Sequence, residues 1–220
     1  MSSSINPDYI FKYIIIGDPS VGKSQILLRY INNRFNEEYQ TTIGVEFGAK
    51  NLIIKDIIYR IQIWDTAGQE NFKSITRAYY KNSVCVLIVY DISKKNSFDN
   101  LNNWLQDCRN QSPKTILMIL IGNKNDLDDK REVTYEEGKE FADKYNMLFY
   151  ETSAKTGDNI EKVFFDSASE IIQNMENGFY DLNDEQCGIK RSVTSLKFKI
   201  KKEENEYEEN NNNNNKKKCC

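Results

Sequence analysis

The stretch Gly17-Asp18-Pro19-Ser20-Val21-Gly22-Lys23-Ser24 decides the fold, because of what precedes and follows it. A mostly apolar run over residues 11–16 leads into it, and the residues after it place apolar side chains at helical spacing, namely Ile26, Leu27, Tyr30 and Ile31. This order predicts a strand, a glycine-rich loop and a helix. Glycines let such a loop curl so that its backbone N–H groups point inward, and the helix N-terminus adds the positive end of its dipole. The sequence therefore predicts an anion-binding loop, with a glycine-rich turn and an exposed Lys23 as the alternative.

The residue types in this loop suit the phosphates of a nucleotide together with a magnesium ion. We expect Lys23 to reach the outer phosphates and the hydroxyl of Ser24 to bind Mg²⁺, a cation that prefers oxygen ligands. The predicted phosphate-binding residues in this part of the chain are Gly17, Ser20, Val21, Gly22, Lys23, Ser24 and Gln25.

Composition excludes several classes of protein. With 220 residues, 39% of them hydrophobic and 29% charged, the chain can bury one full core and carry a solvated extension. A formal net charge of −3 argues against non-specific nucleic-acid binding, so no nucleic acid is expected as a partner. The chain has no histidine, which excludes mechanisms that use an imidazole. Its five cysteines show no C-x-x-C spacing and are odd in number, which favours a reducing, cytosolic setting.

Apolar runs and helical patterns alternate along the chain. Two runs rich in β-branched residues, 45–54 and 57–64, flank Lys55-Asp56 and predict an antiparallel hairpin, although its turn lacks the favoured glycine. Other patterns predict buried strands at 84–90, 116–121 and 148–150, a partly helical segment ending near residue 81, and helices at 97–110, 135–145 and 160–175. We therefore expect an α/β fold with a doubly wound, mostly parallel six-stranded sheet, one antiparallel edge strand and helices on both faces. Ligand-binding loops lie at the carboxyl ends of such strands.

The expected domain organisation has three parts: a loose N-terminus over residues 1–8, one domain over 9–177 and a tail over 178–220. After about Gly178 the periodicity stops, and the chain continues with acidic residues, six asparagines at 210–215 and then Lys216-Lys217-Lys218-Cys219-Cys220. Such composition cannot bury enough apolar surface to offset its ordering entropy, so we expect a disordered tail. At this length it would wander roughly 35–40 Å. No apolar run approaches the length of a membrane span.

A second strand-end loop carries groups suited to the hydrolysis of a triphosphate. Asp65 directly follows an apolar strand, so we expect it to hold magnesium through a water molecule, and we expect the N–H of Gly68 to reach the terminal phosphate. Gln69 has both an amide donor and an amide acceptor, so it can orient a water for in-line attack without being a base. Gln69 is therefore the predicted catalytic residue.

A third loop, Asn123-Lys124-Asn125-Asp126, indicates which base is bound. The carboxylate of Asp126 can accept hydrogen bonds from both the N1–H and the exocyclic amine of guanine, whereas adenine has an unprotonated N1 and no amine at C2. Asp126 therefore favours GTP over ATP, because the wrong base leaves an acceptor unpaired. We expect Ser153-Ala154-Lys155 to close this pocket, with the Ala154 N–H directed at the guanine O6.

Together these loops resemble those of the small GTPases of the Ras superfamily, and the chain is similar to the Rab family in particular. The resemblance covers about residues 9–175 and the final two cysteines; residues 39–47, 64–70 and 74–80 look like the two Rab switch regions. It implies a switch that binds and hydrolyses GTP and regulates vesicle traffic. The second switch and residues 171–182 are similar to the Rab subgroup of the early secretory and endosomal pathway, which implies the cytoplasmic face of the Golgi or endosomes, in exchange with the cytosol.

The resemblance also implies roles for single residues. Thr42 joins the magnesium ion when the terminal phosphate is present, and Phe35 covers the guanine face. The positions that effectors contact in this family correspond to Ile43, Phe47, Trp64 and Tyr79. Ordinary packing in a hairpin or helix is the alternative for each of the three aromatic residues among them.

A membrane anchor and a set of partners follow from the same resemblance. Cys219 and Cys220 correspond to cysteines that carry geranylgeranyl groups. One lipid chain binds membranes only marginally, so two chains beside the basic Lys216, Lys217 and Lys218 provide stable attachment. The implied partners are a guanine-nucleotide exchange factor, a GTPase-activating protein, a GDP-dissociation inhibitor, the prenylation escort machinery, GTP-dependent effectors and the membrane.

The phosphate loop departs from the family at Pro19 and Ser20, where many Rabs carry a small residue followed by glycine. Proline fixes φ and removes an N–H, and its ring borders the space that Gln69 needs. This departure leaves a GTP-loaded scaffold with impaired hydrolysis as an alternative to a cycling GTPase. An ATP-using phosphate-loop kinase is the other alternative; Asp126 and the lack of a second acceptor-substrate motif argue against it.

Overall fold

The computed structural model describes residues 6–37, 42–68 and 78–192, and the seven strands found there form one sheet. The strands are β1 (Tyr9–Gly17), β2 (Val45–Ile54), β3 (Ile57–Thr66), β4 (Cys85–Asp91), β5 (Leu117–Asn123), β6 (Leu148–Thr152) and β7 (Ile189–Arg191). Their order is β2-β3-β1-β4-β5-β6, with β7 beside β1. Neighbours are parallel except for the β2–β3 and β1–β7 pairs. The predicted mostly parallel, doubly wound sheet is confirmed.

Helices cover both faces of the sheet. Those in the described residues are α1 (Lys23–Asn32), α2 (Lys95–Asp99), α3 (Leu101–Gln111), α4 (Tyr135–Tyr145) and α5 (Ile160–Glu176). Successive residues of β1 point to opposite faces, so Ile15 packs in a core with α1 and α5, whereas Ile14 packs in a second core with α3 and α4. Every residue of β4 is buried, which explains why its sequence is apolar up to the final Asp91. Within the described stretches, no helix has the length and apolar character needed to cross a membrane.

The helix predicted over residues 97–110 is in fact two helices, α2 and α3, which meet at Asn100. The ψ of Asn100 is −7°, well away from the value of about −42° in a regular helix. The prediction of a single helix is wrong here, because the apolar spacing continues through the bend. Of the partly helical segment predicted to end near residue 81, residues 78–80 are helical and 69–77 lie outside the described residues.

The hairpin of β2 and β3 closes through the two residues predicted for its turn. Ile54 pairs with Ile57, and the intervening Lys55 and Asp56 have φ of 53° and 62°. Positive φ at both positions is the mark of a type I′ turn, whose twist matches that of the flanking strands. The hairpin therefore forms without glycine, at the cost of two side chains held in the left-handed region.

The seventh strand, β7, corrects two predictions. The sheet was expected to have six strands and the tail to begin at residue 178, yet Ile189 of β7 pairs antiparallel with Phe11 of β1. Further bonds run from the N–H of Lys12 to Gly188 O (3.0 Å) and from the N–H of Ser192 to Asp8 O (2.9 Å). Three side chains between the end of α5 and the end of β7 are buried, namely Tyr180, Cys187 and Ile189. Folded structure therefore reaches residue 192, while the remaining tail, 193–220, lies outside the described residues.

Gly188 allows the chain to enter β7. Its φ is +78°, and a Cβ atom on it would lie 2.2 Å from the backbone nitrogen of Val84. A larger residue would therefore combine a strained conformation with a clash against backbone.

We expect Ile189→Ala to lower the free energy of unfolding by roughly 2–5 kcal/mol, because it removes a buried side chain from a packed core. Urea denaturation followed by circular dichroism measures this change. Lys190→Ala is the matched control, since the Lys190 side chain is exposed in the same strand and its loss should change stability by less than about 0.5 kcal/mol. Equal, small effects of the two substitutions would show that β7 does not contribute to the stability of the domain.

Candidate functional site

A cavity of about 540 Å³ lies at the carboxyl ends of the parallel strands. Most of the residues predicted to bind a nucleotide line it: Ser20, Gly22, Lys23, Ser24, Gln25, Phe35, Thr42, Gly68, Asn123, Lys124, Asp126, Ala154 and Lys155. Its other lining residues are Pro19, Asn36, Glu37 and Leu127. Since loops from four different strands contribute, the cavity depends on the topology of the sheet rather than on any one motif.

Four of the predicted site residues do not line the cavity but form hydrogen bonds with residues that do. Gly17 and Val21 present carbonyl oxygens to Lys23 and Asn123, and Asp65 and Ser153 bond to the lining residues Ser24 and Asp126. Gln69 lies outside the described residues, as do Cys219 and Cys220.

Gly22 brings the phosphate loop and the base loop together. Its φ is +100°, and a Cβ atom on it would lie 2.3 Å from Asn123 Nδ2, so only glycine permits this approach. Helix α1 begins at the next residue, and its capping residue, Gly22, has no side chain that could bond to the first turn. The first N–H groups of α1 thus remain available at the cavity, as an anion site requires.

Lys23 is held inside the phosphate loop. Its Nζ donates to the carbonyl oxygens of Gly17 and Asp18, both at 2.8 Å, and the residue is only 6% exposed. Burial lowers the pKa of Lys23 to about 8, against the opposing effect of the Asp65 and Asp18 carboxylates. A bound phosphate would restore the charge of this ammonium group, because an opposite charge favours the protonated form.

Ser24, Thr42 and Asp65 meet at one corner of the cavity. The Ser24 hydroxyl donates to Asp65 Oδ2 at 2.5 Å, and Ser24 Oγ lies 2.7 Å from Thr42 Oγ1. Burial raises the pKa of Asp65 to about 7, although the bond from Ser24 and the charge of Lys23 both act to lower it. Asp65 Oδ1 is buried and has no hydrogen-bond partner among the described atoms.

This corner fits a magnesium ion. Two hydroxyl oxygens and a buried carboxylate with an unpaired oxygen are hard ligands of the kind that Mg²⁺ takes, together with water and substrate phosphates. The described residues contain no cluster of three or more His, Cys, Asp or Glu side chains able to hold a metal alone. The ion would therefore depend on the phosphates for part of its coordination.

Ser153 orients the carboxylate predicted to read the base. Its hydroxyl donates to Asp126 Oδ1 at 2.5 Å and accepts from the N–H of Thr156 at 3.0 Å. The hydroxyl proton is thereby committed to Asp126, and the carboxylate is fixed at the cavity edge.

Asn123 and Lys124 tie the base loop to the phosphate loop. Asn123 Nδ2 donates to Val21 O at 2.8 Å, and its Oδ1 accepts from the N–H of Ala154 at 3.3 Å. Lys124 Nζ donates to Ser20 O at 2.8 Å and pairs with the buried Asp91 at 2.6 Å. A base and a phosphate bound at the two ends of the cavity would thus lie against one connected unit.

Sequence reasoning missed two residues that shape the base pocket. Arg29 in α1 donates through Nε to Ala154 O at 2.8 Å and through Nη2 to Lys155 O at 2.5 Å, while Asp91 holds Lys124. Neither belongs to a recognisable motif, and Arg29 is separated by 125 residues from Ala154. The only signal for Arg29 is a charged residue beside the apolar face of α1.

The predicted effector positions lie on a surface formed by β2, β3 and residue 79. Ile43 is 83% exposed and Phe47 is 57% exposed, and the Phe47 ring packs edge-on against Trp64 with centroids 5.0 Å apart. Lys12 Nζ lies 5.2 Å from the Trp64 ring and 5.9 Å from the Tyr79 ring. The structure brings these aromatic residues together, and their mutual packing accounts for part of their burial.

Comparison with known proteins gives one family. The model of the Ras family matches residues 12–173, a range that contains every residue lining the cavity. The Ras-related protein Rab-2B of Dictyostelium discoideum is 51% identical over 146 residues, which are 66% of this chain and 72% of that protein. The Ras-related protein Rab11A of Lotus japonicus is 49% identical over 142 residues, 64% of this chain and 63% of that protein. The chain is therefore similar to both over its folded part.

Proposed function

Because the chain belongs to the Ras family and is a Rab small GTPase, we propose that it cycles between GTP-bound and GDP-bound states to regulate one step of vesicle traffic. Members of this family bind guanine nucleotides and hydrolyse GTP. The proposal includes hydrolysis of GTP by this chain at a rate that permits cycling.

One observation carries the assignment: Asp126 and Lys23 line the same cavity, and Asn123 and Lys124 bond the loop of one to the loop of the other. A ligand that fills it must present a base to a carboxylate and phosphates to an ammonium group and a helix N-terminus. Guanine satisfies that carboxylate with two donors and adenine does not, which favours GTP over the ATP of a phosphate-loop kinase.

The nucleotide would act through two loops. Ser24 and Thr42 would hold Mg²⁺ directly and Asp65 through water, and the ion supplies positive charge that neutralises the phosphates. Thr42 and Gly68 both line the cavity. Thr42 directly follows one stretch that lies outside the described residues, and Gly68 directly precedes another. Loss of the terminal phosphate would remove the group that both residues contact, and this loss is the switch.

Gln69 is the proposed catalytic residue, since its amide can orient the attacking water. Without an arginine supplied by a partner, Ras itself hydrolyses GTP at only about 10⁻⁴ s⁻¹. We therefore expect slow intrinsic hydrolysis here and stimulation by a GTPase-activating protein.

Hydrolysis in variants of Pro19 and Gln69 tests the cycle. A Cβ on Gly68 would lie 2.5 Å from Pro19 N, so Gly68, the residue before Gln69, packs directly against the backbone of Pro19. Proline is compact and its φ suits a turn, so we expect wild type and Pro19→Gly to hydrolyse GTP at similar rates in single-turnover assays. Gln69→Leu should slow both by at least about tenfold, because leucine cannot bond the water.

A different result in that assay would support the alternative function. If wild type is no faster than Gln69→Leu and Pro19→Gly restores hydrolysis, the proline ring blocks the catalytic amide. The protein would then be a GTP-loaded scaffold rather than a cycling switch.

The affinity for a nucleotide should fall at both low pH and high pH. In the empty cavity the pKa of Asp65 is about 7 and that of Lys23 about 8. Below pH 7, Mg²⁺ must displace a proton from Asp65, and above pH 8 the phosphates must draw a proton onto Lys23. Affinity for Mg²⁺-GDP should therefore peak between these values and fall by up to about tenfold per pH unit outside them.

Calorimetric titrations from pH 5.5 to 9 in buffers of different ionisation enthalpy measure this linkage. Proton release below pH 7 should disappear in Asp65→Asn. Proton uptake below pH 7 in wild type, or no proton release there, would contradict the assignment of Asp65 to the magnesium corner.

Attachment and partners complete the proposal. Geranylgeranyl groups on Cys219 and Cys220 would anchor the chain to the cytoplasmic face of Golgi or endosomal membranes, with exchange into the cytosol. An exchange factor, an activating protein, a GDP-dissociation inhibitor, prenylation escort machinery and effectors are the partners that such a cycle needs. The exposed Ile43 and Phe47 beside Trp64 and Tyr79 support an effector surface at this position.

A further inference from the structure

The Asp18 carboxylate belongs to the phosphate loop but is not among the groups that line the cavity. Instead it accepts hydrogen bonds from Asn100 Nδ2 and Trp104 Nε1, both at 2.7 Å. These donors stand at the junction of α2 and α3, more than 80 residues further along the chain. The outer side of the phosphate loop is thus bonded to a pair of helices.

The fold holds the ring of Trp104 and the backbone of Asn100 in place. Trp104 is 6% exposed and packs in the core cluster that contains Leu101 and Leu105. Asn100 ends α2 and begins α3, and its backbone N–H bonds to Asn96 O at 3.1 Å. A carboxylate bonded to two such groups has little freedom to move, since bonds to an ionised acceptor are about twice as strong as neutral ones.

The opposite side of the same backbone faces Gly68. A Cβ on Gly68 would lie 2.6 Å from the carbonyl carbon of Asp18 and 2.5 Å from Pro19 N. The Asp18–Pro19 peptide is therefore enclosed between the helix junction and the glycine expected to contact the terminal phosphate. The Asp18 carbonyl also accepts from Lys23 Nζ at 2.8 Å, so one residue joins three parts of the site.

We propose that Asp18 is a positioning residue: bonded to Asn100 and Trp104, it fixes the Asp18–Pro19 peptide that supports Lys23 and against which Gly68 packs. This inference rests on the proposed function of the cavity as a guanine-nucleotide site. A negative charge beside a phosphate site opposes anion binding unless it is turned away and bonded elsewhere. The two hydrogen bonds do both.

Three variants separate the bond from the charge. Trp104→Phe removes the N–H donor and keeps an aromatic ring in the core. Asp18→Ala removes the acceptor from the phosphate loop, and no buried apolar packing is lost, because Asp18 is only partly buried. Asp18→Asn is the matched control: its amide oxygen still accepts from Trp104, and the amide of Asn100 can turn to accept from it, so the bonds persist without the charge.

The first readout is the rate of GDP release into excess unlabelled GTP. We expect Asp18→Ala and Trp104→Phe each to release GDP about tenfold faster, as loss of a bond to a charged group predicts. The double variant should be no faster than Asp18→Ala, because that substitution already removes the bond to Trp104. Asp18→Asn should stay within about twofold of wild type.

The second readout is spectroscopic and independent of turnover. The indole N–H resonance of Trp104, identified by its loss in Trp104→Phe, should shift when a non-hydrolysable GTP analogue replaces GDP in wild type and in Asp18→Asn. In Asp18→Ala this nucleotide-dependent shift should vanish. Trp64, the other tryptophan in the chain, gives the second indole resonance, which should persist in Trp104→Phe.

The outcomes distinguish this inference from the proposed function. If wild type binds no guanine nucleotide, the proposed function is wrong. If wild type binds GDP but both single variants release it at the wild-type rate, or the double variant is additive, Asp18 does not act through Trp104. Release from Asp18→Asn as fast as from Asp18→Ala would overturn the inference as well, since it would assign the effect to charge.

Discussion

Replacing Asp126 with alanine is expected to lower the affinity for GDP and GTP by roughly 10³- to 10⁴-fold, as when a site loses a polar group that reads its ligand. Asp126 is exposed at the cavity, and its carboxylate accepts a hydrogen bond from Ser153 in the loop after β6. The fold should therefore survive its loss. Competition titration against a fluorescent GDP measures the loss. Circular dichroism and thermal unfolding of the variant provide the check on folding.

Asp126→Asn is the matched variant. An amide offers one acceptor and one donor, so it cannot accept from both donors of guanine, but it suits xanthine, which carries a carbonyl at C2 in place of the amine. We expect this variant to prefer xanthosine nucleotides while Asp126→Ala prefers neither. Wild-type protein that bound ATP as well as GTP in the same titration would contradict the guanine assignment.

The second large effect concerns membrane attachment. Changing Cys219 and Cys220 to serine should move the protein from membranes to the soluble fraction of cells almost completely, because it removes both proposed lipid chains. Nucleotide exchange should be unchanged, since the residues that line the cavity lie between Pro19 and Lys155. Cell fractionation and exchange assays on the purified variant measure the two properties.

Cys220→Ser alone is the control for this substitution, and it should leave weak, reversible binding, as a single chain provides. Mass spectrometry of wild-type protein recovered from membranes should show two isoprenoid additions. Unmodified thiols at both cysteines in that fraction would refute the proposed anchor.

Most of the fold could be predicted from the sequence because its signals are local. The strands β4 and β5 are apolar except near their carboxyl ends, as burial on both faces favours, and α5 shows apolar residues at helical spacing over its whole length. β7 could not be predicted, because three residues carry no period and only Ile189 of them is buried. The pairing of β7 depends instead on a free edge of β1, which is a property of the assembled sheet.

The same distinction between local and long-range signals applies to the residues of the candidate site. The residues that line the cavity belong to short motifs whose chemistry can be read one loop at a time. The residues that hold those loops, such as Arg29, Asp91 and Asp18, bond to atoms far away in the chain. Their partners are defined by the fold, and a single sequence contains no spacing that relates them.

The short strand β7 also determines where the two ends of the chain leave the domain. The N–H of Ser192 bonds to Asp8 O, so the N-terminal segment and the segment that leads to Cys219 depart side by side. The phosphate loop begins at the other end of β1, eight residue steps from Tyr9 and hence about 26 Å away. A protein fused to the N-terminus would therefore join the domain beside the point from which the proposed tether leaves it, and at the opposite end of β1 from the nucleotide cavity.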